Sequence, residues 1–162
     1  MMRVAAVAMI AALSIGPVSA APWGTDYNMG TFAAGGGSPS EGQLNLECGD
    51  PDAGIANYGE LNLQLTIAAG ASLKAKSPLD SVQFAVDGKV LDMPMEIEHG
   101  SSGVLNYVRE AEGAALAQEL VTAMRHGDSV KISYQGTELA NVGLSGSNAA
   151  LEVIDSCIRY RS

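Results

Sequence analysis

This 162-residue chain has only two histidines and two cysteines to offer to metal or nucleophile chemistry, beside more common residue types. Two histidines do not make a three-histidine zinc site. Basic residues are scarce as well, with nine Lys and Arg against 18 Asp and Glu. A chain this acidic has no basic face for nucleic acid or an anionic lipid surface, so neither is expected as a partner. Aromatic residues make up 5% of the chain and include a single tryptophan, which leaves few stacking platforms for sugars. After residue 20 no apolar run is long enough to span a bilayer, so no transmembrane segment is expected.

What is present begins with an export signature. Arg3 forms a short positive region, residues 4–15 form an apolar run of signal-peptide length, and Val18-Ser19-Ala20 supplies small residues for cleavage near Ala20. Residues 1–20 are therefore expected to be a signal peptide, leaving one soluble periplasmic or secreted domain of about 140 residues. Loss of Arg3 leaves eight basic against 18 acidic residues, a net charge of −10, which keeps an exported domain soluble. In an oxidising compartment two cysteines read as one disulfide, Cys48 to Cys157.

Residues 21–43 read as a flexible arm, because Ala33-Ala34-Gly35-Gly36-Gly37-Ser38-Pro39-Ser40 buries little apolar surface. Trp23, Tyr27 and Phe32 give that arm a means of docking on the domain. From residue 44 to 162 a single disulfide-closed domain is expected. Residues 43–48 alternate, with Leu44, Leu46 and Cys48 on one face and Gln43, Asn45 and Glu47 on the other. Residues 60–68 repeat the pattern with Leu61, Leu63, Leu65 and Ile67 inward. Strands follow at 82–86 and 89–98, joined by an Asp87-Gly88 turn of the type I′ sort. Pro94 interrupts the second of these, which predicts an edge strand or a bulge.

A further strand is expected at 104–109, then a helix over 110–126 with Leu116, Leu120 and Met124 in a stripe and Gly127 ending it. Glu110 and Glu112 open that helix, and Arg125 and His126 close it, as the macrodipole favours. Strands at 128–135 and 138–144 lead to a last helix started by Ser145 or Ser147 as N-cap. Its apolar stripe is Ala150, Leu151, Ile154, Cys157 and Ile158. The fold class expected is mainly β (α+β). It is an antiparallel sandwich or barrel-like domain of six to seven strands, with one mid-chain and one C-terminal helix.

No complete catalytic constellation emerges. Gly143-Leu144-Ser145-Gly146-Ser147 approaches the Gly-x-Ser-x-Gly elbow of serine hydrolases, but ends in Ser and has no histidine downstream of His126. Met93, Met95 and His99, with Glu96 and Glu98 beside them, offer soft donors of the kind copper takes. The competing reading places Met93, Met95 and Ile97 on the inner face of a strand. No cofactor is expected. The reading that follows is an exported, non-catalytic binding or accessory protein with a protein partner in the cell envelope. A small exported hydrolase with carboxylates not recognisable by spacing is one alternative, and a periplasmic copper carrier is the other.

The strand around Val130-Lys131-Ile132-Ser133-Tyr134, the turn at Leu144-Ser145-Gly146-Ser147, Ala149-Ala150-Leu151 and the late Cys157 also form a recognisable ending. Residues 115–157 resemble the C-terminal part of exported proteobacterial proteins of the invasion-associated locus B kind. They are similar, too, to small periplasmic accessory proteins linked to type VI secretion. The resemblance implies a β-rich accessory domain with an internal disulfide, linked to envelope, secretion or host-interaction processes, and it carries over no catalytic residue.

Overall fold

The computed structural model describes residues 22–55, 58–74, 77–97, 103–108 and 114–160. The expected signal peptide, His99, Glu98, Glu110 and Glu112 lie outside the described residues.

Nine strands form one antiparallel sheet: β1 (Gly24–Asn28), β2 (Thr31–Ser38), β3 (Gly42–Gly49), β4 (Leu61–Thr66), β5 (Leu79–Val86), β6 (Lys89–Ile97), β7 (Val104–Tyr107), β8 (Ser129–Tyr134) and β9 (Thr137–Gly143). Helix α1 (Ala114–His126) falls between β7 and β8, and α2 (Ser147–Arg159) follows β9. Across the sheet the order is β1-β2-β3-β4-β7-β6-β5-β8-β9. No helix among the described residues is long and apolar enough to cross a membrane.

The seven strands expected from alternation are all present. The two beyond them, β1 and β2, occupy the segment that composition alone reads as a loose arm. That segment pairs through the whole length of β2, from Thr31 opposite Gly49 to Ser38 opposite Gly42. Its glycines are placed for close approach. A side chain on Gly36 would strike the Trp23 indole at 2.6 Å. Gly37 has φ +99°, and a Cβ there would lie 2.2 Å from the Gly42 carbonyl oxygen, a position only glycine fills without strain. The folded domain therefore includes Trp23, β1 and β2 and does not begin at residue 44.

Pro94 sits neither at an edge nor in a bulge. β6 lies between β5 and β7, and Pro94 pairs in register with Ser81. The Pro94 carbonyl accepts the Val108 N–H at 2.9 Å, just past the end of β7. Both main-chain groups of a strand residue face the same neighbour, so the missing N–H falls where the β7 ladder stops. Among the described residues a register shift lies elsewhere, where Leu139 of β9 is the extra residue opposite the Ile132–Ser133 step of β8. Asp87-Gly88 is the type I′ turn expected, with φ of 47° and 88°.

The sheet is open but strongly curled, and its inner face carries the core. Leu44, Leu46, Leu63 and Leu65 line one half, while Phe84, Met93, Met95 and Ile132 line the other, all fully buried. Alternation puts them there, since successive side chains of a strand point to opposite faces. The helices pack on each other, α1 against β5 and β6 and α2 against β2 and β3. Curling brings the β9 end of the sheet back towards its beginning. Asn141 N–H donates to the Glu41 carbonyl and Ala68 N–H to the Leu139 carbonyl, both at 2.8 Å. Trp23 seals this meeting from within, donating its indole N–H to the Gly143 carbonyl at 2.9 Å.

β1 remains as an outer edge, exposed along its full length. The Asp26 carboxylate there accepts the Tyr27 N–H at 2.8 Å. Occupying an edge donor in this way blunts the edge against pairing with another chain.

Candidate binding groove

The cysteines, methionines and serines singled out in the sequence lie within the described residues. Cys48, on β3, and Cys157, on α2, form a disulfide 109 residues apart in sequence, with Cα atoms 6.2 Å apart. The bridge ties the C-terminal helix to the sheet across the core, because both cysteines occupy the inward positions that strand and helix periodicity assign them. Met93 and Met95 are both fully buried in the core, as the inner-face reading of β6 requires. No group of three or more His, Cys, Asp or Glu suited to a metal ion occurs among the described residues.

The serines of the elbow-like turn do different work from the caps expected. The N-cap of α2 is Gly146, in a left-handed conformation, and no side chain caps the helix. Ser145 is exposed. Ser147 is buried, and its hydroxyl donates to the Met124 carbonyl at 2.7 Å. That carbonyl belongs to the last turn of α1, where main-chain acceptors lack helical partners. Ser147 thus joins the end of one helix to the start of the other, and its proton is committed.

Asp155 is the buried charge that spacing did not reveal. Its carboxylate meets Arg125 of α1 at 2.6 Å and Arg159 of its own helix at 3.0 Å, with only 5% of its side chain exposed. Burial pushes its pKa up, but the hydrogen bonds and charges of Arg159 and Arg125 outweigh that and hold it below the ordinary carboxylate value. The i,i+4 spacing of Asp155 and Arg159 is visible in the sequence, whereas the reach from Arg125 depends on how α1 and α2 pack. This cluster clasps the helices together.

Among the described residues, a surface that can receive a ligand is the outer face of the sheet's first half. There the polar partners of the alternating leucines are mostly amides: Gln43 and Asn45 on β3, Asn62 and Gln64 on β4, and Asn106 on β7. They bond both across strands and along one. Gln64 Nε2 donates to Asn106 Oδ1 at 3.2 Å, and Asn45 Nδ2 donates to Glu47 Oε1 at 2.9 Å. Beside them is a cleft of about 440 Å³, within the size range of small-molecule sites. Its side-chain wall is Gln43, Asn45, Gln64 and Thr66, its floor is the glycine backbone of residues 35–37, and Pro22 borders it.

The cleft follows from the strand register. β1 stops at Gly24 opposite Gly35, while β2 continues beside β3 to Ser38. Its glycines also project no side chains into the gap. None of the described residues that line it ionises, in a chain of net charge −9.

A family model described as YfjT matches residues 21–151. The chain belongs to the YfjT family. The YfjT match spans all nine strands, the cleft and the first residues of α2, and so includes Cys48 and ends before Cys157. A search of curated proteins and a search of solved structures found no match.

The cleft residues were open to a reading of the sequence in one respect. The outward positions of residues 43–48 and 60–68 carry amides where a merely solvated face more often carries Lys and Glu. What alternation does not show is that β2, β3 and β4 are neighbours, and the glycines of β2 complete the site.

Proposed function

We propose that this YfjT-family chain is an exported, non-catalytic binding or accessory protein of the cell envelope, released by cleavage near Ala20. The observation that carries the export reading is the Cys48–Cys157 disulfide, which closes the body of the domain. Such a bond persists in an oxidising compartment and not in a reducing cytoplasm. The apolar leader ahead of the first strand supports the same reading. The binding reading is supported by the uncharged cleft on a rigid sheet and by carboxylates engaged elsewhere. Glu47 accepts from Asn45 and Asn62, Asp155 pairs with two arginines, and Asp80 accepts the Tyr134 hydroxyl. The resemblance of residues 115–157 to envelope accessory proteins supports a protein partner in secretion or host-interaction processes.

Cell fractionation with thiol trapping tests this. The expected result is a mature chain starting near residue 21, outside the cytoplasm, with both cysteines unreactive until reduction. Crosslinking in the intact cell should then recover an envelope partner. An uncleaved cytoplasmic chain with two free thiols overturns the reading.

A further inference from the structure

We propose that the amide-walled cleft over β2, β3 and β4 is a binding subsite for an uncharged saccharide. This inference rests on the binding reading above and names the class of ligand for that site.

The chemistry of the wall excludes the other classes in turn. Among the described residues no cation lines the cleft to meet a phosphate or carboxylate, and no anion lines it to hold a metal or an amine. An apolar ligand would bury the Gln43 amide and the carbonyl oxygens of Asn45 and Gln64 without partners, which is costly. An extended peptide binds sheets by pairing with an open edge. β3 is paired with β2 and β4, and β4 with β3 and β7, so β1 leaves uncovered only the short stretch of β2 past Gly35. The main-chain groups of β3 and β4 are used, so that part of the cleft recognises a ligand through side chains standing on a sheet face.

Those side chains suit hydroxyl groups. An amide carries an acceptor oxygen beside a donor nitrogen, and a hydroxyl both donates and accepts. Adjacent hydroxyls of a sugar ring therefore match an amide in pairs. The bonds from Gln64 to Asn106 and from Asn45 to Glu47 each use an N–H. They fix both amide groups and leave the carbonyl oxygens of Asn45 and Gln64 as acceptors. Gln43 and the Thr66 hydroxyl add donors and acceptors from the neighbouring register pair. The glycine floor lets a ring approach the backbone closely. No aromatic ring among the described residues lines the cleft, so affinity rests on hydrogen bonds and falls in the millimolar range, about 4 kcal/mol of binding.

The test is a nuclear magnetic resonance titration of the full mature chain with three probes. They are the neutral trisaccharides of glucose and of N-acetylglucosamine, and an uncharged Gly-Ser-Asn-Gly peptide. Saturable shifts with a saccharide are expected at the main-chain amides of Gly35 and Gly36 and the side-chain amides of Gln43 and Asn45. Gln64→Ala should weaken that binding about tenfold, the loss of one or two neutral hydrogen bonds, with the melting temperature unchanged because Gln64 is exposed. The proposal is overturned if neither saccharide shifts these resonances at about 10 mM, roughly tenfold above the dissociation constant expected. It is overturned equally if the peptide shifts them and the saccharides do not. Recovery of an envelope partner in the intact cell would survive either result, so the two readings fail separately.

Discussion

The N-terminal hairpin and the C-terminal helix meet at the same seam of the curled sheet, and they are held there by opposite means. α2 packs against β1, β2 and β3 with a continuous apolar stripe, a disulfide and a buried ion cluster. β1 and β2 hold by absence of side chains. Gly36 admits the Trp23 indole, Gly37 admits the Gly42 carbonyl, and main-chain pairing does the rest. The difference teaches why one end is readable by periodicity and the other is not. An apolar stripe repeats along the chain. A close approach depends on what lies opposite, and composition records it only as glycine.

The disulfide gives the largest effect. Cys48→Ala, Cys157→Ala and the double variant should each lose about the same stability, at most about 5 kcal/mol from loop entropy. Urea denaturation checks this, and oxidised wild-type protein treated with a reductant should converge on the same midpoint. A double variant much weaker than either single one would show that the cysteines act separately. The bridge holds the helix side of the seam, so its loss should leave the Trp23 contacts with Gly36 and Gly143 in place.

The hairpin side is tested next. Trp23→Ala removes a buried indole and a hydrogen bond, and should cost about 3–4 kcal/mol. Gly36→Ala alone should cost about 1–3 kcal/mol, because its new methyl meets the indole. In the Trp23→Ala background the same glycine change should be nearly neutral. A double-mutant cycle by denaturation measures this coupling directly. Additive costs would mean that Gly36 is needed for backbone conformation and not for space.

Between the two regions stands Asp155. Asp155→Asn should cost about 2–3 kcal/mol. It leaves Arg125 inside the fold without its partner, while Arg159 is half exposed and loses less. The pH dependence has a definite sign. The folded pKa of Asp155 lies below the ordinary 3.8, so its stabilisation is complete above that value and is lost as pH falls through the folded one. Acid titration of wild type and Asp155→Asn should therefore converge at low pH and separate above about pH 4.

Most of the architecture was open to a reading of the sequence. Alternation at 43–48, 60–68, 82–86 and 128–135 places Leu44, Leu63, Phe84 and Ile132 on the inner face where the structure has them. The helical stripe through Leu151, Ile154 and Cys157 is likewise buried. Pro94 misled because tolerance of a missing N–H depends on where the neighbouring strand ends, which is a tertiary fact. The cleft was half readable. Its amides occupy the outward positions of two strands that alternate cleanly, but its floor is the glycine run that composition assigns to an arm.

The smallest effect discriminates most finely, because it divides two serines that look alike in sequence. Both Ser145 and Ser147 are acceptable N-caps by residue type. In the structure Gly146 is the cap residue, and Ser145 is exposed while Ser147 is 1% exposed. Ser147→Ala should cost about 1–2 kcal/mol, since it leaves the Met124 carbonyl buried without its donor. Ser145→Ala should change stability by less than about 0.5 kcal/mol. Were Ser145 a helix cap, its removal would cost about 1 kcal/mol and reduce helical ellipticity. Chemical denaturation of the two variants side by side therefore separates a helix start fixed locally by a side chain from one fixed by the helix packed against it.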